Sequence, residues 1–170
     1  MKLSFSSEIS KTLVFETIEK YLEPKFSVIS KDFNRPWGGF FVINESNADA
    51  FIKEYFPSLN ADDISMGNKL SPKILVVEPG KRLSWQYHFR RAELWKIIGG
   101  GVGVATSETN EETEMKIYST GSIIKLKQGE RHRLIGLDEW GVIAEIWQHI
   151  DNDAPSDEED IIRLQDDYGR

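Results

Sequence analysis

Leu83-Ser84-Trp85-Gln86-Tyr87-His88 alternates apolar and polar side chains without a break. Successive side chains of an extended strand point to opposite faces, so Leu83, Trp85 and Tyr87 share one side and Ser84, Gln86 and His88 the other. An amide and an imidazole two residues apart then open into the same space. Pro79-Gly80 turns the chain just before this stretch, and Arg90-Arg91 makes a polar turn just after it, ahead of Glu93. Further out lie other short runs rich in β-branched and aromatic residues, at Lys73–Val77, Leu94–Ile98, Gly101–Ala105, Met115–Tyr118, Ser122–Leu126 and Val142–Trp147. Gly99-Gly100 and Gln128-Gly129 punctuate them. Strands so short and so closely spaced predict an antiparallel sandwich or barrel of the jelly-roll kind.

The first third reads differently. Ile9, Leu13, Val14, Ile18 and Leu22 recur at helical spacing between Glu8 and Leu22, and Pro24 discourages continuation. Ala48 to Phe56 predicts a second, shorter helix, with Asn47 as N-cap and Pro57 as stop. Between them, Arg35-Pro36-Trp37-Gly38 reads as a turn leading into a strand that ends near Ile43. The expected organisation is a single domain over 1–170, with a helical extension at 1–30, a barrel core at 35–150 and an acidic segment at 151–170.

Composition excludes several function classes. The chain has 170 residues, a length that buries roughly two-thirds of its unfolded surface in one domain. It has no cysteine, so disulfides, thiolate zinc clusters and cysteine nucleophiles are ruled out. A net charge of −7 argues against general nucleic-acid binding. No apolar run reaches the roughly 18 residues of a membrane span, and Met1-Lys2-Leu3-Ser4-Phe5 lacks the apolar core of a secretory signal. A cytoplasmic location without membrane contact is the expectation. Residues 151–170 hold eight acidic and two basic side chains, which reads as a solvated loop followed by a short terminal segment.

Only three histidines are present, which makes their placement informative. His88 ends the alternating stretch; Glu93 follows on what reads as the neighbouring strand, and His132 arrives after a second strand and turn between Gly121 and Gly129. If the polar face lines a barrel, Gln86, His88, Glu93 and His132 offer two oxygens and two imidazole nitrogens. That set suits zinc best, and manganese, iron, cobalt and nickel also fit. Taken singly, each histidine reads more readily as an isolated surface or core polar residue than as a ligand. His149 has no such pattern and reads as a surface residue. The Gly99-Gly100-Gly101-Val102-Gly103 run opens no helix, so it predicts a tight hairpin and not a phosphate-binding loop.

The spacing Gly80-(x5)-Gln86-x-His88-(x4)-Glu93-(x6)-Gly100, followed by Gly121-(x7)-Gly129-(x2)-His132, resembles the two cupin motifs, with glutamine for the usual first histidine. A narrower resemblance is to the cupin domain of type II mannose-6-phosphate isomerases. It rests on Arg35-Pro36-Trp37-Gly38, Pro79 to His88, Arg91-Ala92-Glu93-x-Trp95, Gly129-Glu130-Arg131-His132-Arg133-Leu134, and an ending from Glu159-Asp160-Ile161-Ile162-Arg163 to Asp166-Asp167-Tyr168-Gly169-Arg170. The first thirty or so residues lie outside it.

The resemblance implies a cupin double-stranded β-helix with N-terminal helices and Gln86, His88, Glu93 and His132 as metal ligands. It implies a metal-dependent aldose–ketose isomerase converting mannose 6-phosphate to fructose 6-phosphate through a cis-enediol. Arg91, Arg163 and Arg170 are the implied substrate arginines, with Arg91 and Arg163 also placed at the catalytic centre. Glu145, on the last long strand-like run, is the acid/base candidate; a carboxylate on a solvent-facing strand is its plain alternative. Phe89, Arg90 and Leu94 stand where the family has histidines. That departure motivates a second expectation, a non-catalytic cupin binding a sugar or sugar phosphate. Cupins of this kind are often fused behind a nucleotidyltransferase, and the expectation here is a stand-alone form without nucleotidyl transfer. A small phosphorylated sugar is the expected partner, and pairing of two copies through their sheets is the assembly the resemblance suggests.

Overall fold

The computed structural model describes residues 3–60, 64 and 69–170. Two antiparallel sheets face each other, and two helices cover the outside of one of them. In chain order the elements are helix α1 (Lys11–Leu22), strands β1 (Val28–Arg35) and β2 (Gly38–Ile43), helix α2 (Ala48–Tyr55), then β3 (Lys73–Val77), β4 (Trp85–Tyr87), β5 (Arg91–Gly99), β6 (Gly101–Ser107), β7 (Lys116–Ser119), β8 (Ile123–Leu126), β9 (Arg131–Gly136), β10 (Gly141–His149) and β11 (Ile162–Gln165). One sheet runs β1-β2-β3-β10-β5-β8 and the other β11-β4-β9-β6-β7. This is the expected jelly roll with helices at its N-terminal side, a cupin architecture.

The period-2 rule explains why β3 and β10 read as continuous apolar runs. Both faces of the six-stranded sheet are covered, so both sets of side chains are buried. Ile74, Val76, Val142, Ala144 and Ile146 point outward and pack with Val14, Ile18 and Leu22 of α1 and Phe51 and Ile52 of α2. Leu75, Val77 and Ile143 point inward and meet Val102, Val104 and Leu134 from the facing sheet. Lys73 and Glu145 are paired residues on the same two strands and also bury, at 5% exposure each. No described helix is long and apolar enough to cross a membrane.

Several local expectations change. The Gly99–Gly103 run is not a hairpin: β5 and β6 belong to different sheets, so it is a corner. Gly100 makes that corner with a φ of 64°, and a Cβ there would lie 2.3 Å from the Trp140 carbonyl oxygen. Only glycine fits such a site. Asn47 does precede α2, but its side chain caps nothing in the helix and accepts instead from the Ser27 amide at 2.8 Å. Strand β1 is masked in the sequence by Lys31, Asp32 and Asn34; it lies at a sheet edge, where charged side chains are the rule.

The acidic segment departs furthest from expectation. It is not a solvated loop: β11 pairs with β4, and Ser156 and Asp160 are 1% and 6% exposed. Its charges find cations in the barrel: Arg82 grips Asp167 through two hydrogen bonds of 2.7 and 2.9 Å, and Lys73 pairs with Glu158.

Candidate functional site

Strands β4 and β9 place Gln86 directly opposite His132, β5 brings Glu93 from the other sheet, and His88 sits just past the end of β4. Ligand-capable atoms of His88, Glu93 and His132 all lie within 4.8 Å of one another. All three residues are 2–3% exposed. His88 Nε2 is 3.2 Å from one Glu93 oxygen, and His132 Nε2 is 3.4 Å from the other.

The opposite ring nitrogens decide what these contacts are. His88 Nδ1 is 2.6 Å from the Asp160 carbonyl oxygen, and His132 Nδ1 is 3.0 Å from that of Glu130. A carbonyl only accepts, so both Nδ1 atoms carry hydrogen and, in the neutral rings, both Nε2 atoms present lone pairs. Two nitrogen lone pairs thus converge on the two oxygens of one carboxylate. His132 Nε2 is buried and has no hydrogen-bond partner among the described residues. Arg91 supplies a cation on one side, donating to His88 Nε2 and to Glu93, while the His132 side is left with acceptors alone; the N–H-to-carbonyl bonds behind each ring are the support that metal-ligating histidines ordinarily have. The triad therefore fits a divalent metal ion.

Proton affinities in the cluster follow the same logic. Burial, opposed only in part by Glu93, pushes His88 down to about 4. Burial would also lower His132, yet the Glu93 carboxylate beside it holds it above its ordinary value. Burial alone would raise Glu93, but His88 and Arg91 keep it ionised well below the usual carboxylate range. The centre is a stable anion beside two rings of unequal basicity.

Next to it lies a cavity of about 200 Å³, lined by Gln86, Arg91, Glu93, Glu145, Arg163 and Arg170. The two histidines are behind this wall and not part of it. Gln86 faces the cavity, with its amide oxygen accepting from Ser84 Oγ at 2.5 Å. Arg91 is held by protein groups: it donates to Glu93 at 2.7 Å, Ser156 Oγ at 2.9 Å, the Asp157 carbonyl at 3.0 Å and His88 Nε2 at 3.1 Å. Its guanidinium also stacks 3.7 Å over Trp147. Glu145 accepts from Trp95 Nε1 at 3.0 Å, and burial, reinforced by the negative charge of Glu93, pushes its carboxyl up to about 7. Arg170 pairs with Asp166, whereas Arg163 has no ion pair among the described residues. Burial and then the neighbouring Arg170 lower the proton affinity of Arg163.

Reasoning from sequence missed Arg35, Lys73 and Glu158 in the cavity wall. The one charge opening the apolar run Lys73–Val77 was the signal for Lys73. Phe89, Arg90 and Leu94 are absent from the wall: Phe89 is 55% exposed, Arg90 donates to Pro155 and Asp157, and Leu94 packs in the outer layer against the helices. Histidines at those positions would not enlarge this cavity's polar lining. His149 is not a surface residue; it is 3% exposed, accepts from the Ser156 amide at Nδ1 and therefore donates from Nε2 to Ser71 Oγ at 3.1 Å. All five tryptophans are buried.

The fold and this buried acceptor triad define a cupin. Similarity to solved structures supports the fold: the capsular polysaccharide assembling protein CapF from Staphylococcus aureus matches 80% of this chain and 34% of its own, with TM-score 0.52 and 14% identity. An oxalate decarboxylase from Lactobacillus farciminis matches 79% of this chain and 33% of its own, with TM-score 0.53 and 14% identity. The sequence model of the family "Mannose-6-phosphate isomerase C-terminal" matches residues 44–166, and the chain belongs to that family.

Curated relatives include the mannose-1-phosphate guanylyltransferase of Salmonella montevideo, 32% identical over 116 residues, which are 68% of this chain and 23% of that protein. The xanthan biosynthesis protein XanB of Xanthomonas campestris is 30% identical over 125 residues, 74% of this chain and 25% of that protein. The alginate biosynthesis protein AlgA of Pseudomonas aeruginosa is 31% identical over 122 residues, 68% of this chain and 22% of that protein. The chain thus spans about a quarter of the length of these relatives. These names correct the expected mannose-6-phosphate isomerase: the relatives are named for mannose-1-phosphate guanylyl transfer and for xanthan and alginate biosynthesis, and none of the three for isomerisation. Screening for a glycine-rich loop tests for a nucleotide site within the chain itself, and says nothing of a cupin that accompanies one.

Proposed function

We propose that this cupin is a metal-binding module that holds a phosphorylated mannose-type sugar in support of mannose-1-phosphate guanylyl transfer. One observation carries the reading: a buried acceptor triad stands beside a cavity whose wall holds five cationic side chains, Arg35, Lys73, Arg91, Arg163 and Arg170. Lys73 and Arg91 are compensated by Glu158 and Glu93. Arg163 is left to meet a phosphate, for which a guanidinium's forked donors are suited.

His88 and His132 through Nε2, Glu93 through an oxygen and Gln86 as the fourth donor would hold the ion, with zinc suiting the set best. When bound, it would supply Lewis-acid polarisation of a sugar oxygen. Glu145, poised near neutrality, exchanges hydrogen bonds with a sugar hydroxyl as either donor or acceptor. Trp37 gives the wall flat apolar surface for a sugar ring to pack against, whereas Trp147 is covered by Arg91 and Lys73.

Calorimetric titration of the zinc-loaded protein tests this, comparing mannose 1-phosphate with mannose. Binding of the phosphorylated sugar alone, weakened at least about tenfold by Arg163→Ala, is the expected result. Diphosphate release from GTP and mannose 1-phosphate by a guanylyltransferase should rise when this chain is added. Equal affinity for mannose and its phosphate, or no binding of either, would overturn the proposal.

A further inference from the structure

The acidic segment does more than cover the barrel. Asp160 is the residue on which the whole His88 turn hangs. Its carbonyl oxygen accepts from His88 Nδ1 at 2.6 Å. Its carboxylate accepts from the backbone amides of Phe89 at 3.0 Å and Arg90 at 2.9 Å, which are the two residues after His88. The same carboxylate takes the Ser156 hydroxyl at 2.6 Å, and Ser156 Oγ in turn accepts from Arg91 Nη1 at 2.9 Å. Arg91 holds Glu93. One residue, 6% exposed, therefore fixes the ring of one triad member through its carbonyl and, through its carboxylate and Ser156, the cation that orients another.

We propose that Asp160 is a positioning residue for the metal triad: docked from the C-terminal segment, it locks His88 in the Nδ1–H tautomer with Nε2 turned toward Glu93. Among the described residues no strand pairs with the turn at 89–90, which lies between the end of β4 at Tyr87 and the start of β5 at Arg91. A carboxylate that substitutes for the missing strand's carbonyls keeps that turn from relaxing, and the carbonyl of the same residue then finds the ring. Positioning partners of this kind contribute about 10–100-fold to metal affinity.

The inference rests on the metal-binding reading above, and its test separates the two. Imidazole nitrogen shifts of the metal-free protein report the tautomer of His88 directly. Zinc affinity, measured by competition with a chelating indicator, reports the consequence. Asp160→Asn, nearly isosteric, removes one acceptor and places an amide against donors; it should leave a mixture of His88 tautomers and bind zinc about 10–100-fold more weakly. Asp167→Asn, on the same segment but with its carboxylate hydrogen-bonded to Arg82 at the rim, should retain both native values. Unchanged tautomer and unchanged affinity in Asp160→Asn would overturn the positioning role. Native protein that binds no zinc would overturn the metal reading, while the tautomer comparison still decides what Asp160 does. Should Asp160→Asn fail to fold, Ser156→Ala probes the same relay one bond away, with a smaller loss in the same direction supporting it and no loss opposing it.

Discussion

Along β5, Trp95 and Ile97 bury carbon against Val102, Val104 and Ile143, while Arg91 and Glu93, a few residues nearer its start, bury charge against the two histidines. Both ends of the inter-sheet space are equally buried, yet they are held by different physics. At the apolar end the forces are non-directional, and facing side chains need only fill the volume. At the polar end every buried donor and acceptor needs a partner at a defined place. The sheets supply some of those partners. The rest come from residues 151–170, through Ser156, Asp157 and Asp160. A barrel can close its apolar end with strands alone, but its polar end had to recruit a separate piece of chain.

The sharpest way to break this division is Glu93→Ala. It strands the Arg91 cation in a buried site, and uncompensated buried charges cost about 3–5 kcal/mol. Urea denaturation should show that loss together with disappearance of zinc binding. Ile97→Ala strikes the apolar end instead. A cavity there costs about 2–5 kcal/mol, and the same denaturation should reveal it with zinc affinity kept. Loss of zinc binding in the Ile97 variant would show that the two ends are not independent.

Proton uptake gives a smaller, signed test. His149 is neutral when folded, pushed by burial down to about 4 from 6.5. Between those values the unfolded chain binds the extra proton, so stability is full above 6.5 and is lost as pH falls toward 4. His149→Gln keeps a donor and an acceptor without titrating, and the urea midpoint of the metal-free protein should then fall less steeply. Glu145 has the opposite sign. Its folded carboxyl holds its proton up to about 7 against 4.5 unfolded, so it withdraws stability as pH rises through that window. Glu145→Gln should therefore gain stability over native above neutrality. The smallest effect is expected at the rim, where Arg82→Ala removes a half-exposed pair with Asp167; such pairs contribute about 0–1 kcal/mol. A thermal melt of that variant should lie close to native.

Much of the barrel is legible in the sequence because alternation is a local property. Lys73–Val77 reads as a strand with the boundaries it has, and the stretch ending at His88 places Gln86 and His88 near Glu93 and His132 through spacing and family motifs. What escapes is whatever depends on distant partners. Strand β11 reads as part of a charged tail because its partners on β4 lie 75 to 80 positions away, and no local pattern encodes that (loop closure leaves no periodicity). His149 reads as solvated because a lone histidine carries no sign of the serines that enclose it. The activity escapes for a different reason: a cupin motif fixes ligands and a cavity, and the chemistry done beside a fold is not written in the fold.

The hydrogen bond from His88 to Asp160 joins residues 72 positions apart. A contact of that span forms only after a long loop has closed, later than the hairpins around it. The ring that faces Glu93 therefore gains its fixed orientation only when the C-terminal segment has docked. Readiness for the ion becomes a certificate of completed folding, withheld from any chain whose barrel has closed at one end only.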